Sequence, residues 1–135
     1  MDPIVELRGV SKRYGAQVAL EEFSLAVRRG EFLTLLGPSG SGKTTILRLV
    51  AGFEQPHAGQ VLIDGRDAAD LPPYRRNVNT VFQHYALFPH LDVFGNVAFG
   101  LEQKKLPKAE IRRRARAMLE LVELPGKEDR LPSQL

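Results

Sequence analysis

Between residues 31 and 52 a short apolar run, Glu31 to Leu36, leads into Gly37-Pro38-Ser39-Gly40-Ser41-Gly42-Lys43-Thr44 and then into Thr45 to Ala51, whose apolar residues have helical spacing. The middle stretch fits G-x-x-x-x-G-K-S/T, and strand, loop, helix is the order that this loop requires. A chain carrying it is confined to an α/β arrangement in which a strand feeds a helix through a glycine-rich turn. Glycines at 37, 40 and 42 let the backbone take positive φ and turn its N–H groups inward, making an anion nest at the positive end of a helix. Lys43 adds a point charge reaching β- and γ-phosphates, and the Thr44 hydroxyl ligates the Mg²⁺ that bridges them. The expected ligand is ATP or GTP with Mg²⁺. A plain flexible Gly/Ser turn is the alternative reading.

The chain has 135 residues, the length of one modest domain, able to bury about two thirds of its unfolded surface. It contains no cysteine, so no disulfide framework forms, which suits a reducing compartment and makes the cytosol the default. The start, Met1 to Arg8, lacks a basic stretch followed by an apolar core, and no apolar run approaches membrane-spanning length. The expectation is a chain neither secreted nor membrane-embedded. Lys and Arg outnumber Asp and Glu by only 19 to 16, a weak signal for nucleic acid. The densest basic cluster, Arg112, Arg113, Arg114 and Arg116, lies in a helical stretch whose apolar residues Ile111, Ala115, Met118, Leu119 and Val122 recur at 3–4 spacing. A solvated helix face is its reading, with protein contact and nucleic acid as alternatives.

Along the chain, Ile4, Val5, Leu7, then Val18, Leu20, Phe23, Leu25 and Val27 alternate in strand fashion around a Tyr14-Gly15 turn. An antiparallel pair is expected ahead of the phosphate loop. Gln60 to Ile63 reads as a strand stopped by an Asp64-Gly65 turn, and Val78 to Phe82 as another strand. From Asp92 the spacing turns helical, with Pro107 as a break before a second helix over about 108–123. The expected organisation is an antiparallel β part over 1–30, an α/β part over 31–90 and the start of a helical subdomain over 91–135.

Taken together, Tyr14, the stretch from Gly37 to Gly52, the Pro56, Gly59 and Asp64-Gly65 positions and the segment from Val78 to Leu101 resemble the ATP-binding subunit of an ABC (ATP-binding cassette) transporter. The run from Leu71 to Gln83, LPPYRRNVNTVFQ, looks most like the spermidine/putrescine, or polyamine, import class. The resemblance implies a phosphate-loop NTPase core with an N-terminal antiparallel β-subdomain and the start of a helical subdomain, incomplete at the C-terminus. It implies ATP and Mg²⁺ as ligands, with contacts from Gly37 through Thr45. Tyr14 matches the aromatic that stacks on adenine, a use suited to a flat π-face; without the family it reads as a turn or strand aromatic. Gln83 matches the glutamine that approaches Mg²⁺ and the attacking water, and would otherwise be a loop residue. The stretch from Tyr85 to Asn96 then lies near the surface that meets the membrane-spanning partner. Implied partners are transmembrane permease subunits and a second ATP-binding subunit, with no nucleic acid, and the implied place is cytoplasmic, peripheral on the inner face of the cell membrane.

Phosphoryl transfer also needs a carboxylate behind the Mg²⁺, usually at the end of an apolar run. Val61-Leu62-Ile63-Asp64 is the nearest imitation, but Gly65 follows, and D-G after a short strand is first a turn signal. His84 and His90 have no partner at metal-ligand spacing and read as loop or contact residues. The sequence ends at Leu131-Pro132-Ser133-Gln134-Leu135, where the family continues with the signature S-G-G-Q, the acidic strand and the catalytic histidine. The expectation is therefore one face of an ATP sandwich and none of its hydrolytic half. A truncated nucleotide-binding module without hydrolysis and a non-transport phosphate-loop NTPase stand as the alternatives.

Overall fold

Alternating apolar residues near the start fold as two long antiparallel strands, β1 (Pro3–Tyr14) and β2 (Gln17–Arg28), with Leu7 opposite Leu25 and Val10 opposite Phe23. In this computed structural model, which describes residues 2–135, the chain divides into two compact units, one running to Thr80 and one from Val81 to Leu135.

In the first unit β3 (Ala58–Ile63) pairs antiparallel with the free side of β1, placing Val61 opposite Leu7, and β4 (Arg66–Asp67) turns back on it to give the order β2-β1-β3-β4. The expected Asp64-Gly65 turn joins β3 to β4 with φ of 50° and 73°, the two positive values that a tight hairpin of right-handed twist demands. One face of the sheet is covered by α1 (Lys43–Ala51), which inserts Ile46 and Leu49 among Leu7, Val10, Leu20 and Val61. Their spacing of three puts both on one helix face, and burying each is worth about 2 kcal/mol.

The far end of α1 is closed by a side chain that the sequence reading passed over. Arg76 is only 6% exposed. Its Nη1 donates to the carbonyls of Leu49 (2.7 Å) and Val50 (3.2 Å), its Nε to Leu71 O (2.8 Å) and its Nη2 to Ala68 O (2.8 Å). The last carbonyls of a helix lack intrahelical partners, and a cation there also complements the negative end of the dipole. Burial pushes the guanidinium pKa down, with Asp67 opposing. The approach is close enough to require glycine at the C-cap: a Cβ on Gly52 would stand 2.5 Å from Arg76 Nε.

Two expected strands are not laddered. Residues 31–36 and 78–82 form no strand, and Phe32, Leu36 and Val81 are 94%, 97% and 92% exposed. Strand propensity only describes a fit to a pleated surface, and among the described residues no neighbouring strand supplies the hydrogen bonds that would fix either segment. Leu35 alone of the first run packs against the sheet core.

In the second unit α2 (Val93–Gln103) starts at Asp92, whose Oδ1 accepts from the Gly95 N–H at 2.6 Å. The N–H groups of Val93 and Phe94 donate to Arg130 O and Glu128 O, so the end of the chain satisfies the first turn of the helix. Asn96 ties the preceding loop down, its Nδ2 donating to Phe88 O, Leu91 O and Asp92 O while its Oδ1 accepts from Phe88 N. After Pro107, α3 (Lys108–Leu121) packs Ile111 and Ala115 against Ala98, Phe94 and Leu101. Met118 and Val122, expected on the same apolar stripe, are exposed, because the covered stripe runs through Ile111, Ala115 and Leu119 at a spacing of four.

On the opposite face Glu110 accepts from Arg113 Nε and Nη2 (2.9 and 2.7 Å) and from Arg114 Nε (2.6 Å). These bonds, Arg113 first, hold its carboxyl down at about 2 against an ordinary 4.5. A folded pKa below the unfolded one contributes stability that is present above about 4.5 and lost as pH falls through about 2. The expected result is that the α3 amides from Ile111 onward lose hydrogen-exchange protection on acidification across that window, and that Glu110→Gln abolishes the pH dependence.

Candidate functional site

Packing Ile46 and Leu49 on the sheet carries the N-terminus of α1 to the β1–β2 hairpin, and the loop before it closes one open pocket of about 290 Å³. Tyr14, Gln17 and Ala19 of the hairpin line one side, and Ser39 through Thr45 the other. The junction depends on Gly42. Its φ of +92° is a conformation L side chains resist, and an added Cβ would stand 2.8 Å from Ala19 O and 2.9 Å from Leu20 Cδ2.

The pocket is built for negative charge. The first i to i−4 bond of α1 runs from Ile46 N to Gly42 O (2.9 Å), so the N–H groups of Lys43, Thr44 and Thr45 precede any intrahelical acceptor. Gly42 offers no side-chain cap, and the first turn holds no acidic residue. Lys43 folds back over the loop, its Nζ donating to Gly37 O (2.6 Å), Pro38 O (2.7 Å) and Ser41 Oγ (3.0 Å). Gly37 and Pro38 thus hold the lysine through their carbonyls, while Ser39, Gly40, Ser41, Gly42, Thr44 and Thr45 face the pocket with it. Thr44 is exposed and Thr45 buried, which leaves the Thr44 hydroxyl as the one turned to solvent. Helix dipole, orphan amides and an ammonium converge on one volume, an arrangement that retains a chain of phosphates.

Tyr14 shares that pocket. Gln17 and Ala19 line it as well and were missed; the signal was the hairpin, whose register pairs Tyr14 with Gln17. Gln83 lies in the second unit, exposed, and is not among the residues lining the pocket. His84 and His90 are exposed loop residues, His90 meeting the Phe88 ring edge-on at 5.9 Å. Among the described residues no three His, Cys, Asp or Glu are grouped to hold a metal ion. Asp64 is engaged in its turn, accepting from Asn77 Nδ2 (3.3 Å) and Arg29 Nη2 (2.7 Å), bonds that hold its carboxyl below the usual range.

Comparison with known proteins identifies the family. The sequence pattern described as ABC transporter matches residues 20–135. Spermidine/putrescine import ATP-binding proteins PotA are similar to the chain: that of Acidothermus cellulolyticus is 58% identical over 98% of this chain and 36% of the relative. That of Rubrobacter xylanophilus is 58% identical over 97% and 35%, and that of Mannheimia succiniciproducens 53% identical over 98% and 36%. The chain therefore spans about 36% of the length of these relatives. Among solved structures, a dimeric bacterial ABC transporter cassette superposes with a TM-score of 0.83 at 32% identity, covering 97% of this chain and 62% of that one. A dimeric post-hydrolysis state of an ATP-binding cassette, bound to ADP and Pi, gives 0.82 at 34% with the same coverage. The chain belongs to the ABC transporter family.

Proposed function

We propose that this chain forms the ATP-binding face of an import system that takes up a small solute, of polyamine type, with ATP hydrolysis as the power source of the assembled transporter. The observation that carries the reading is the single pocket in which Tyr14 faces the loop from Ser39 to Thr45. In this reading the adenine stacks on Tyr14, the phosphates lie along the amides of Gly40 to Thr45, and Lys43 exchanges the carbonyls of Gly37 and Pro38 for phosphate oxygens. That exchange replaces neutral acceptors by charged ones, which form the stronger bonds.

The donor set fits a cation held chiefly through phosphate oxygens, since the pocket offers the Thr44 hydroxyl and no carboxylate. The Thr44 hydroxyl would hold Mg²⁺, which supplies charge neutralisation on the phosphates. With Asp64 committed to Arg29 and Asn77, the pocket binds nucleotide without a carboxylate of its own to drive turnover. The partners proposed for it are a second copy and permease subunits, in keeping with the dimeric state of the similar cassettes. The place of work is then the inner face of the cell membrane; no helix among the described residues is long and apolar enough to cross one.

Deleting the gene is expected to abolish energy-dependent uptake of radiolabelled spermidine and putrescine, with restoration by the wild-type gene and none by its Lys43→Ala form. Uptake that survives the deletion, or returns with the mutant, contradicts the proposal.

A further inference from the structure

Behind the aromatic wall of the pocket stands a buried cation that the phosphate chemistry leaves unused. Lys12 is two residues before Tyr14 on β1 and so shares its face of the strand. Its side chain is buried, and a lysine is almost never so unless its charge is paired. The Nζ donates to Gln55 O at 2.8 Å, pairs with Glu54 Oε2 at 2.8 Å and stands over the Tyr14 ring, 5.4 Å from its centroid. Tyr14 lines the pocket and the buried Lys12 is not among its lining residues, so the ammonium engages the ring without occupying the pocket.

The segment that carries Glu54 and Gln55 is itself fastened to β1. His57 N donates to Ser11 O at 2.8 Å, and His57 Nδ1 accepts from Arg13 N at 3.3 Å. Lys12 is the first cause holding the Glu54 carboxyl below its ordinary range, and the Tyr14 phenol is a further one, so all three groups form a single contact. A tyrosine on the rim of a hairpin otherwise has rotamer freedom to lose when a ligand stacks on it, and a ring ordered in advance spares that cost.

We propose that Lys12 and Glu54 are positioning residues for Tyr14, fixing its ring so that one face is left for the base of the nucleotide; this rests on the reading of the pocket as a nucleotide site. They set the affinity for the base and leave the affinity for the phosphates untouched.

The test compares binding of ATP and of inorganic tripolyphosphate, both with Mg²⁺, to the whole chain and to Lys12→Met, Lys12→Arg and Glu54→Gln. Lys12→Met is expected to weaken ATP about fivefold with tripolyphosphate binding unchanged, the loss of one well-ordered stacking contact. Lys12→Arg restores ATP binding, because a guanidinium keeps the charge and stacks on the ring. Glu54→Gln weakens ATP in the same selective way, and its part-exposed site makes it the deciding variant should Lys12→Met not fold. Equal weakening of both ligands, or ATP binding as tight as wild type in both Lys12→Met and Glu54→Gln, overturns the proposal. A wild-type chain that binds tripolyphosphate as tightly as ATP also overturns it, by removing the base wall, whereas a wild-type chain that binds neither removes the nucleotide reading itself.

Discussion

Arg76→Met is expected to lower the unfolding free energy by about 3 kcal/mol, measured as a fall in the denaturant midpoint at constant slope. The substitution keeps a long apolar stem and removes all donors, leaving the carbonyls of Leu49, Val50, Ala68 and Leu71 without the groups that now meet them. The lost charge-assisted bonds set most of the size of the effect, since Leu49 O and Ala68 O keep the Gly52 and Leu71 N–H groups as donors. Arg76→Lys retains charge but offers a point where a planar fork is needed, so it falls between the two. The comparison variant is Arg29→Met, whose 2.7 Å pair with Asp64 is exposed; an exposed pair is worth about 0.5 kcal/mol. A loss at Arg76 no larger than that at Arg29 contradicts this account of how α1 is anchored.

That arginine also shows where the sequence stopped being legible. Alternation and spacing announced the hairpin of β1 and β2, the Asp64-Gly65 turn, the helix after the glycine loop and the two helices after Asp92, because each rests on a local signal: alternation, a turn dipeptide or helical spacing. A guanidinium that binds only backbone carbonyls has no such signal, since every residue carries the acceptor, and Arg75 beside it is exposed. The runs 31–36 and 78–82 failed for the complementary reason: their composition suits strands, but pairing is a property of a neighbour and not of the segment. Met118 and Val122 likewise had the right period and the wrong phase relative to the covered stripe.

At the candidate site the motif residues were legible individually and their meeting place only in part. The loop from Gly37 to Thr45 follows from its spacing, and Tyr14 from resemblance; that both face one pocket depends on the β1–β2 register and on α1 packing across it. Lys12 and Glu54 are 42 positions apart in sequence, and only the folding of residues 54–57 back onto β1 joins them.

Lys43→Ala is expected to weaken ATP binding by about 10- to 100-fold while the chain remains folded, the size of a lost charge-assisted hydrogen bond to phosphate. The lysine spans the loop from above, so its bonds to Gly37 O, Pro38 O and Ser41 Oγ are partly exposed and contribute little to the core. Equilibrium dialysis with labelled ATP reads the affinity, and circular dichroism reads the fold. An unfolded mutant, or ATP bound as tightly as by the wild type, contradicts the role given to the ammonium.

The most direct test of the nucleotide site is denaturant unfolding of the wild-type chain with and without saturating Mg-ATP. At a hundred times the dissociation constant a ligand that binds only the folded state adds about 2.7 kcal/mol, and the account predicts a shift of that size. A midpoint that does not move as Mg-ATP is raised into the millimolar range would contradict it.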